Sequence, residues 1–282
     1  MDFTDIALAP VQEKRQGARM ITLASGKGGV GKSSIAVNLA IALSQLGSRV
    51  LVVDADFGLA NIDIMLGAQT KYNLTHFLRG DKTLEEIVHI GYDGVRFVSG
   101  GSGSLELLQI NTVQLDRIKR ALQTLDMSID YILLDAGAGI HETLLSLIGV
   151  SSETLVITTP EPTAILDAYA LVKAITTHDA QHPIRVIMNQ AENKREADRV
   201  YAGFAELLQK NLDREVSLLG HIVSDTEVTR SIKAQTPVMI ASANAPYSRD
   251  IRALARTLME LPPQREYGNA VARIIAELRG EE

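Results

Sequence analysis

The chain of 282 residues contains no cysteine. That single absence excludes disulfides, thiolate zinc sites, iron–sulfur ligation and a cysteine nucleophile. Although 46% of the residues are hydrophobic, no apolar run is long enough to span a bilayer. The N-terminus, MDFTDIALAPVQEKRQ, lacks the apolar core of a signal peptide, so a cytoplasmic protein is expected. Positive charge is also in short supply. Lysine and arginine number 28 against 34 acids, a formal net charge of −6. Sequence-independent DNA binding needs a basic face, so DNA is not expected as a partner. The length suits one large α/β domain or two small ones. No internal repeat or long disordered linker interrupts it.

What is present begins with Gly26 to Ser34, which reads G-K-G-G-V-G-K-S-S. It satisfies G-x-x-x-x-G-K-[ST], the loop that wraps nucleotide phosphates. Gly28, Gly29, Val30 and Gly31 present backbone N–H groups to phosphate oxygens. Lys32 reaches the β/γ-phosphates, Ser33 ligates Mg²⁺ through its hydroxyl, and Ser34 completes the cradle. The motif needs a strand before it and a helix after it. Both are there: Arg19–Ser25 is an apolar strand, and Ser33–Leu46 reads as a helix stopped by Gly47. A second lysine, Lys27, follows the first glycine. From there it cannot easily reach its own chain's phosphates, which points to a residue donated across a dimer.

Apolar strands then alternate with amphipathic helices. Strands are expected at 48–54, 95–99, 130–135, 154–159, 184–189 and 216–222, and helices at 112–125, 163–177, 194–211, 225–234 and 246–261. Asn73 is placed to cap NLTHFLRG. Near-continuous apolar strands alternating with helices predict an α/β fold: a mostly parallel twisted sheet with helices on both faces. Ligands of such sheets sit at the carboxyl ends of the strands. The phosphate loop, Asp54 and Asp56, Asp135 and Asn189 all follow strand ends, so one crevice should gather them.

Asp135 closes the run YILLD, the form expected of an acid that orients Mg²⁺ through water. Gly137 and Gly139 behind it would let Asp135–Gly139 act as a switch sensing the γ-phosphate. Asp54 and Asp56 leave their strand pointing the same way. Asp54 is expected in the magnesium shell, and Asp56 is expected to position the attacking water. An aspartate is a weak base, so basal hydrolysis should be slow. Asn189 could read the adenine edge with its amide or merely cap a turn. Ser224-Asp225 could close the other side of the base. Gly100–Gly103 reads as a turn. His178 and His182 lie four apart, as metal ligands might, but before Pro183 and without a third ligand. An exposed helix end is expected there. His141-Glu142 belongs to no metalloprotease pattern.

The double-lysine loop, the segment Asp54-Ala-Asp56-Phe-Gly58-Leu-Ala-Asn61 and Asp135-Ala-Gly-Ala-Gly139 together resemble the MinD/ParA family of deviant-loop P-loop ATPases over roughly residues 19–260. The resemblance implies an ATP/ADP-driven monomer–dimer cycle. Lys27 would touch the partner's phosphates, Lys32 and Ser33 would bind phosphate and Mg²⁺, Asp56 would place the water, and Asp135 would act behind the metal. Finer features are similar to the flagellar-number regulators of the FlhG/FleN type. These are Asp56–Gly67, Ser99–Gly103, Asp135–Ile140 and above all Thr159–Lys173, which reads TPEPTAILDAYALVK. That likeness implies control of flagellar number or placement, with a GTPase of the FlhF type or basal-body and switch components as partners. Two departures from the pattern stand out. Residues 1–18 lack the D-Q-A-x-x-L-R element with which many such proteins activate their GTPase, and Val223 stands where the adenine loop usually has proline.

Pro262-Pro263 separates an N-terminal extension (1–18) and ATPase domain (19–261) from a tail at 264–282. Tyr267, Ala270, Val271, Ile274, Ile275 and Leu278 would share one face of a helix there. The family places a membrane-targeting helix at this end, which implies ATP-dependent association with an anionic inner membrane face. The tail carries three arginines and four glutamates, so a single copy would hold weakly, and two copies on a dimer would gain by avidity. MinD-type division-site placement is the alternative function. ParA-type DNA partitioning would need the basic surface that the composition lacks. Iron–sulfur carriers need cysteines, a capsule tyrosine kinase needs a tyrosine-rich tail, and a metabolic ligase needs a substrate domain for which the chain leaves no room.

Overall fold

The computed structural model describes residues 18–57, 60–101, 112–124 and 129–262. The N-terminal extension to residue 17, the second half of Gly100–Gly103, and the expected tail helix at 264–282 lie outside them.

Eight strands form one sheet: β1 (Arg19–Ala24), β2 (Val50–Ala55), β3 (His89–Ile90), β4 (Arg96–Val98), β5 (Tyr131–Ala136), β6 (Glu153–Thr158), β7 (Ile184–Ala191) and β8 (Ser217–Val223). Their order is β3-β4-β2-β5-β1-β6-β7-β8. Every pairing is parallel except β3 with β4. Alternate residues of the central strands feed two different cores. Met20, Leu51, Val53, Ile132 and Leu134 face one layer, and Ile21, Val50, Val52, Tyr131 and Leu133 face the other. A sheet covered on both faces needs apolar residues at both parities, which is why these strands read as unbroken apolar runs.

Helix α1 (Lys32–Gln45) is buried at every position from Ser34 to Leu43 because it lies between the sheet and the last helix of the domain. The short α2 (Ile62–Met65) and α3 (Leu74–Arg79) follow β2, and α4 (Thr112–Thr124) precedes β5. The Asn73 side chain accepts the Thr75 N–H at 3.0 Å and caps α3 as expected. Within α4, Ile118 and Leu122 are buried, but Val113 is 76% exposed. Helix α5 (Glu142–Val150) is an addition to the expected elements. Helices α6 (Pro162–His178), α7 (Lys194–Leu212), α8 (Thr226–Lys233), α9 (Val238–Ala241) and α10 (Pro246–Glu260) complete the domain. Among the described residues, no helix is long and apolar enough to cross a membrane.

Like α2, α6, α9 and α10, α1 starts without a side-chain cap, but unlike them it follows a left-handed residue. Asn73, His141, Asn193 and Asp225 each cap a following helix with a side chain. Gly31, before α1, holds φ 90° in the left-handed region, offers no side-chain cap, and no acid follows in the first turn. The longest-buried helix of the domain therefore presents its first N–H groups and its positive dipole end without a protein acceptor from the cap position.

Candidate nucleotide site

Strands β1, β2, β5 and β7 deliver their carboxyl ends to one side of the sheet. Asp54 and Asp135 are Cα partners across β2 and β5, and Leu23 pairs with Asp135 across β1 and β5. Lys32 donates to Asp135 Oδ1 at 2.6 Å, and both side chains are buried. The second oxygen, Asp135 Oδ2, is buried without a hydrogen-bond partner. Asp54 is fully buried. Its Oδ1 accepts the Asp56 N–H at 3.2 Å, and its Oδ2 accepts the N–H groups of Asn61 and Ile62 at 2.8 and 3.0 Å. Burial, and then the negative charge of Asp135 beside it, push the Asp54 carboxyl up to about 7, against the pull of those three N–H donors. Asp54 thus organises the turn that carries Asp56, and the pair of acids leaves the crevice one positive charge short.

The loop itself is braced from α6 and β7. A Cβ at Gly26 would meet the Asp167 carbonyl oxygen at 2.2 Å, so only glycine fits against α6. At Gly31 the obstacle is Asn189, whose Nδ2 donates to the Val30 carbonyl at 2.7 Å. The Asn189 amide donor is therefore engaged in holding the phosphate loop, a role the sequence reading did not weigh. Gly28 and Gly29 have open space where a Cβ would sit. In the 224–225 loop, Ser224 N–H donates to the Ala191 carbonyl at 2.8 Å. The Asp225 carboxylate accepts from Glu227 N–H and Tyr247 N–H, tying the starts of α8 and α10 together. Tyr247 in turn meets Ser34, with 3.1 Å between the hydroxyls.

Lys27 points away from Lys32. Its Nζ donates to Glu161 Oε2 at 2.8 Å and to Thr163 Oγ1 at 3.1 Å, at the exposed start of α6. Within TPEPT, the glutamate and second threonine are thus the resting partners of Lys27. Sequence reasoning saw only a proline-fixed turn there, although the specificity of that motif was itself a signal.

A family model described as ParA, the NUBPL iron-transfer P-loop NTPase, matches residues 16–259. The antiactivator FleN of Pseudomonas aeruginosa is 32% identical over 86% of this chain and 87% of its own. The chain is a ParA/MinD-family P-loop ATPase. The flagellum site-determining protein YlxH of Helicobacter pylori is also 32% identical, over 88% of this chain and 84% of its own. Among solved structures, the septum site-determining protein MinD of Pyrococcus horikoshii, complexed with Mg-ADP, shares the fold. Its TM-score is 0.72 at 24% identity, over 86% of this chain and 96% of that one.

The residues of this ATPase fit a magnesium–nucleotide. An orphaned buried carboxylate oxygen on Asp135, an uncapped helix N-terminus behind left-handed glycines, and a deficit of positive charge meet at one place. Iron transfer through thiolates is closed to a chain without cysteine. Of the two histidines expected at an exposed helix end, His178 is exposed at the end of α6 and His182 is corrected by the structure. His182 is fully buried, not exposed, with Nε2 2.8 Å from Thr154 Oγ1, because β6 lies alongside and supplies a partner distant in sequence. Among the described residues, no group of three or more candidate ligands gathers as a metal cluster.

Proposed function

We propose that this ATPase is a switch that limits flagellar number or sets flagellar position, cycling between an ATP-held dimer and a monomer. Support for the flagellar role is the likeness to FleN and YlxH, each spanning more than four-fifths of both chains. The observation that carries the switch is the opposed setting of two lysines in one loop. Lys32 is buried against Asp135, and Lys27 faces outward on an exposed glutamate, where a second chain can meet it.

In this reading Gly28–Ser34 wrap the phosphates and Lys32 exchanges Asp135 for phosphate oxygens. Ser33, Asp54 and Asp135 would hold Mg²⁺. The ion supplies the positive charge that the crevice lacks and screens the phosphate oxygens during transfer to water. Asp56 orients the attacking water, and Lys27 leaves Glu161 to stabilise the phosphates bound by the partner. Asn189 and the 224–225 loop border the base. ADP and phosphate release the dimer. The membrane-facing part rests on the tail at 264–282, and the partners are a GTPase of the FlhF type or basal-body components. The departure at residues 1–18 favours a contact with that GTPase through another surface.

Counting flagella and septa per cell in a strain deleted for this protein tests the biological role. Extra or misplaced flagella with normal septa are expected. Normal flagella with polar minicells would move the assignment to division-site placement and leave the ATPase mechanism intact. For the tail, ATP but not ADP should bring the protein down with anionic liposomes. Equal pelleting without residues 264–282 would rule that tail out as the anchor.

A further inference from the structure

The segment joining β5 to α5 carries an imidazole that the nucleotide-binding pattern does not use. His141 caps α5, with Nδ1 accepting the Leu144 N–H at 3.1 Å. An Nδ1 that accepts leaves the ring proton on Nε2. The Gly137 backbone faces the ring, and its carbonyl is the acceptor it offers an Nε2–H. A Cβ built on Gly137 would lie 3.5 Å from His141 Nε2 and 3.5 Å from Asp56 Oδ1. Ring and carboxylate therefore flank the same glycine, one from the start of α5 and the other from the turn after β2. Two residues on, Gly139 N–H donates to the Ser25 carbonyl at 3.0 Å, fastening the segment to the strand end that opens into the phosphate loop.

We propose that His141 is a positioning residue for ATP hydrolysis, its Nε2–H holding the Gly137 turn and the Asp56 carboxylate in the mutual setting from which Asp56 orients water. The proposal rests on the reading of Asp56 as the water-positioning acid. Burial holds the His141 ring below the ordinary histidine range, against the opposing pull of Asp56. A neutral ring is what the arrangement requires, because a protonated one could not accept the Leu144 N–H. No proton leaves the imidazole in this role. It fixes geometry, and a misplaced water-positioning group is costly in rate even when binding is intact.

Capping and positioning are separable by substitution. His141→Asn keeps a preferred N-cap acceptor for α5 but withdraws the ring from Gly137 and Asp56. His141→Gln keeps a donor of similar reach and weakens the cap. Steady-state phosphate release by the full chain, with thermal unfolding measured alongside, should show His141→Asn lowering kcat about tenfold, with KM for ATP and the unfolding midpoint nearly unchanged. His141→Gln should recover part of kcat while lowering the midpoint. A wild-type kcat in His141→Asn, or a kcat loss only in step with the unfolding midpoint, would overturn the proposal. Added to Asp56→Ala, His141→Asn should cost nothing further; a second tenfold loss would place its action elsewhere. If Asp56→Ala itself hydrolyses at the wild-type rate, the Asp56 reading fails first. If Asp56→Ala is slow and His141→Asn is not, this proposal fails alone.

Discussion

Two buried clusters of charge sit at opposite ends of the strands of one mostly parallel sheet. At the amino ends, Arg19 of β1 and Arg185 of β7 enclose Glu153 of β6. At the carboxyl ends, Asp54 of β2 lies beside Asp135 of β5, which holds Lys32. Each has two charges of one sign and one of the other, and the chain's own backbone completes each of them in part. Arg19 Nη1 donates to the carbonyls of Leu258 and Leu261 at 2.7 and 2.8 Å, so the negative end of α10 supplies what one glutamate cannot. At the carboxyl end the backbone N–H groups of Asp56, Asn61 and Ile62 satisfy Asp54, but no donor meets Asp135 Oδ2. Its surplus anion is answered by an upward shift of Asp54 and an orphaned oxygen on Asp135. Both clusters keep buried atoms without a hydrogen-bond partner, Arg19 Nη2, Glu153 Oε2 and Arg185 Nη1 at one end and Asp135 Oδ2 at the other, but only the second adjoins the phosphate loop and the uncapped start of α1, where a ligand can complete it.

The largest effect should come from removing the single cation of the carboxyl-end cluster. Lys32→Ala should weaken ATP binding by about 100-fold or more, the loss of a charge-assisted bond worth roughly 3 kcal/mol. Equilibrium titration with a fluorescent ATP analogue measures it, and an unchanged affinity would count decisively against the phosphate-loop assignment. Glu153→Gln attacks the other end. Leaving two arginines without their buried partner should cost about 3–5 kcal/mol in urea unfolding. ATP affinity of the folded variant should stay within about twofold, since the cluster lies at the far end of the strands. A large loss of affinity would show that the two ends are not independent.

Asp54 offers a subtler contrast. Its carboxyl has a folded value of about 7 against an ordinary 3.8. Between those values the native state binds more protons than the unfolded one, so this group makes stability fall as pH rises from about 4 to about 7. The fall is bounded at roughly 4 kcal/mol by the size of the shift. Without nucleotide, wild type should therefore lose stability relative to Asp54→Asn on going from pH 5 to pH 7.5. Parallel pH profiles for the two proteins would mean that Asp54 is not strained by its neighbours.

The contrast also marks what could be read before the fold was known. The phosphate loop, Asp54, Asp56 and Asp135 were legible because each sits in a local pattern, a loop or strand end whose chemistry is written in consecutive residues. The parallel sheet was legible from apolar runs at both parities. The partnership of Arg19, Glu153 and Arg185 was not legible, because it spans three strands far apart in sequence. His182 was expected at an exposed helix end because Thr154 is nowhere near it in sequence. Helix α5 was missed because ETLLSLIGV is apolar nearly all round and so lacks helical periodicity. The two-residue β3 is too short to leave any pattern. Glu161 needed Lys27 brought beside it before it meant anything.

That last pair gives the smallest and sharpest test. Lys27 and Glu161 are 39% and 62% exposed, so their ion pair is worth about 0.2–1 kcal/mol at most. Glu161→Gln should leave thermal stability almost unchanged. If Lys27 must leave Glu161 to reach a partner's phosphates, that same small energy opposes the ATP-held dimer. Its removal should tighten dimerisation by up to about fivefold per lysine released, the equivalent of 1 kcal/mol. Lys27→Ala should act in the opposite sense and weaken the dimer while sparing ATP binding by the monomer. Sedimentation in ATP at several protein concentrations separates these outcomes. A dimer weakened by Glu161→Gln would mean that the glutamate belongs to the interface itself rather than to the resting place of the lysine.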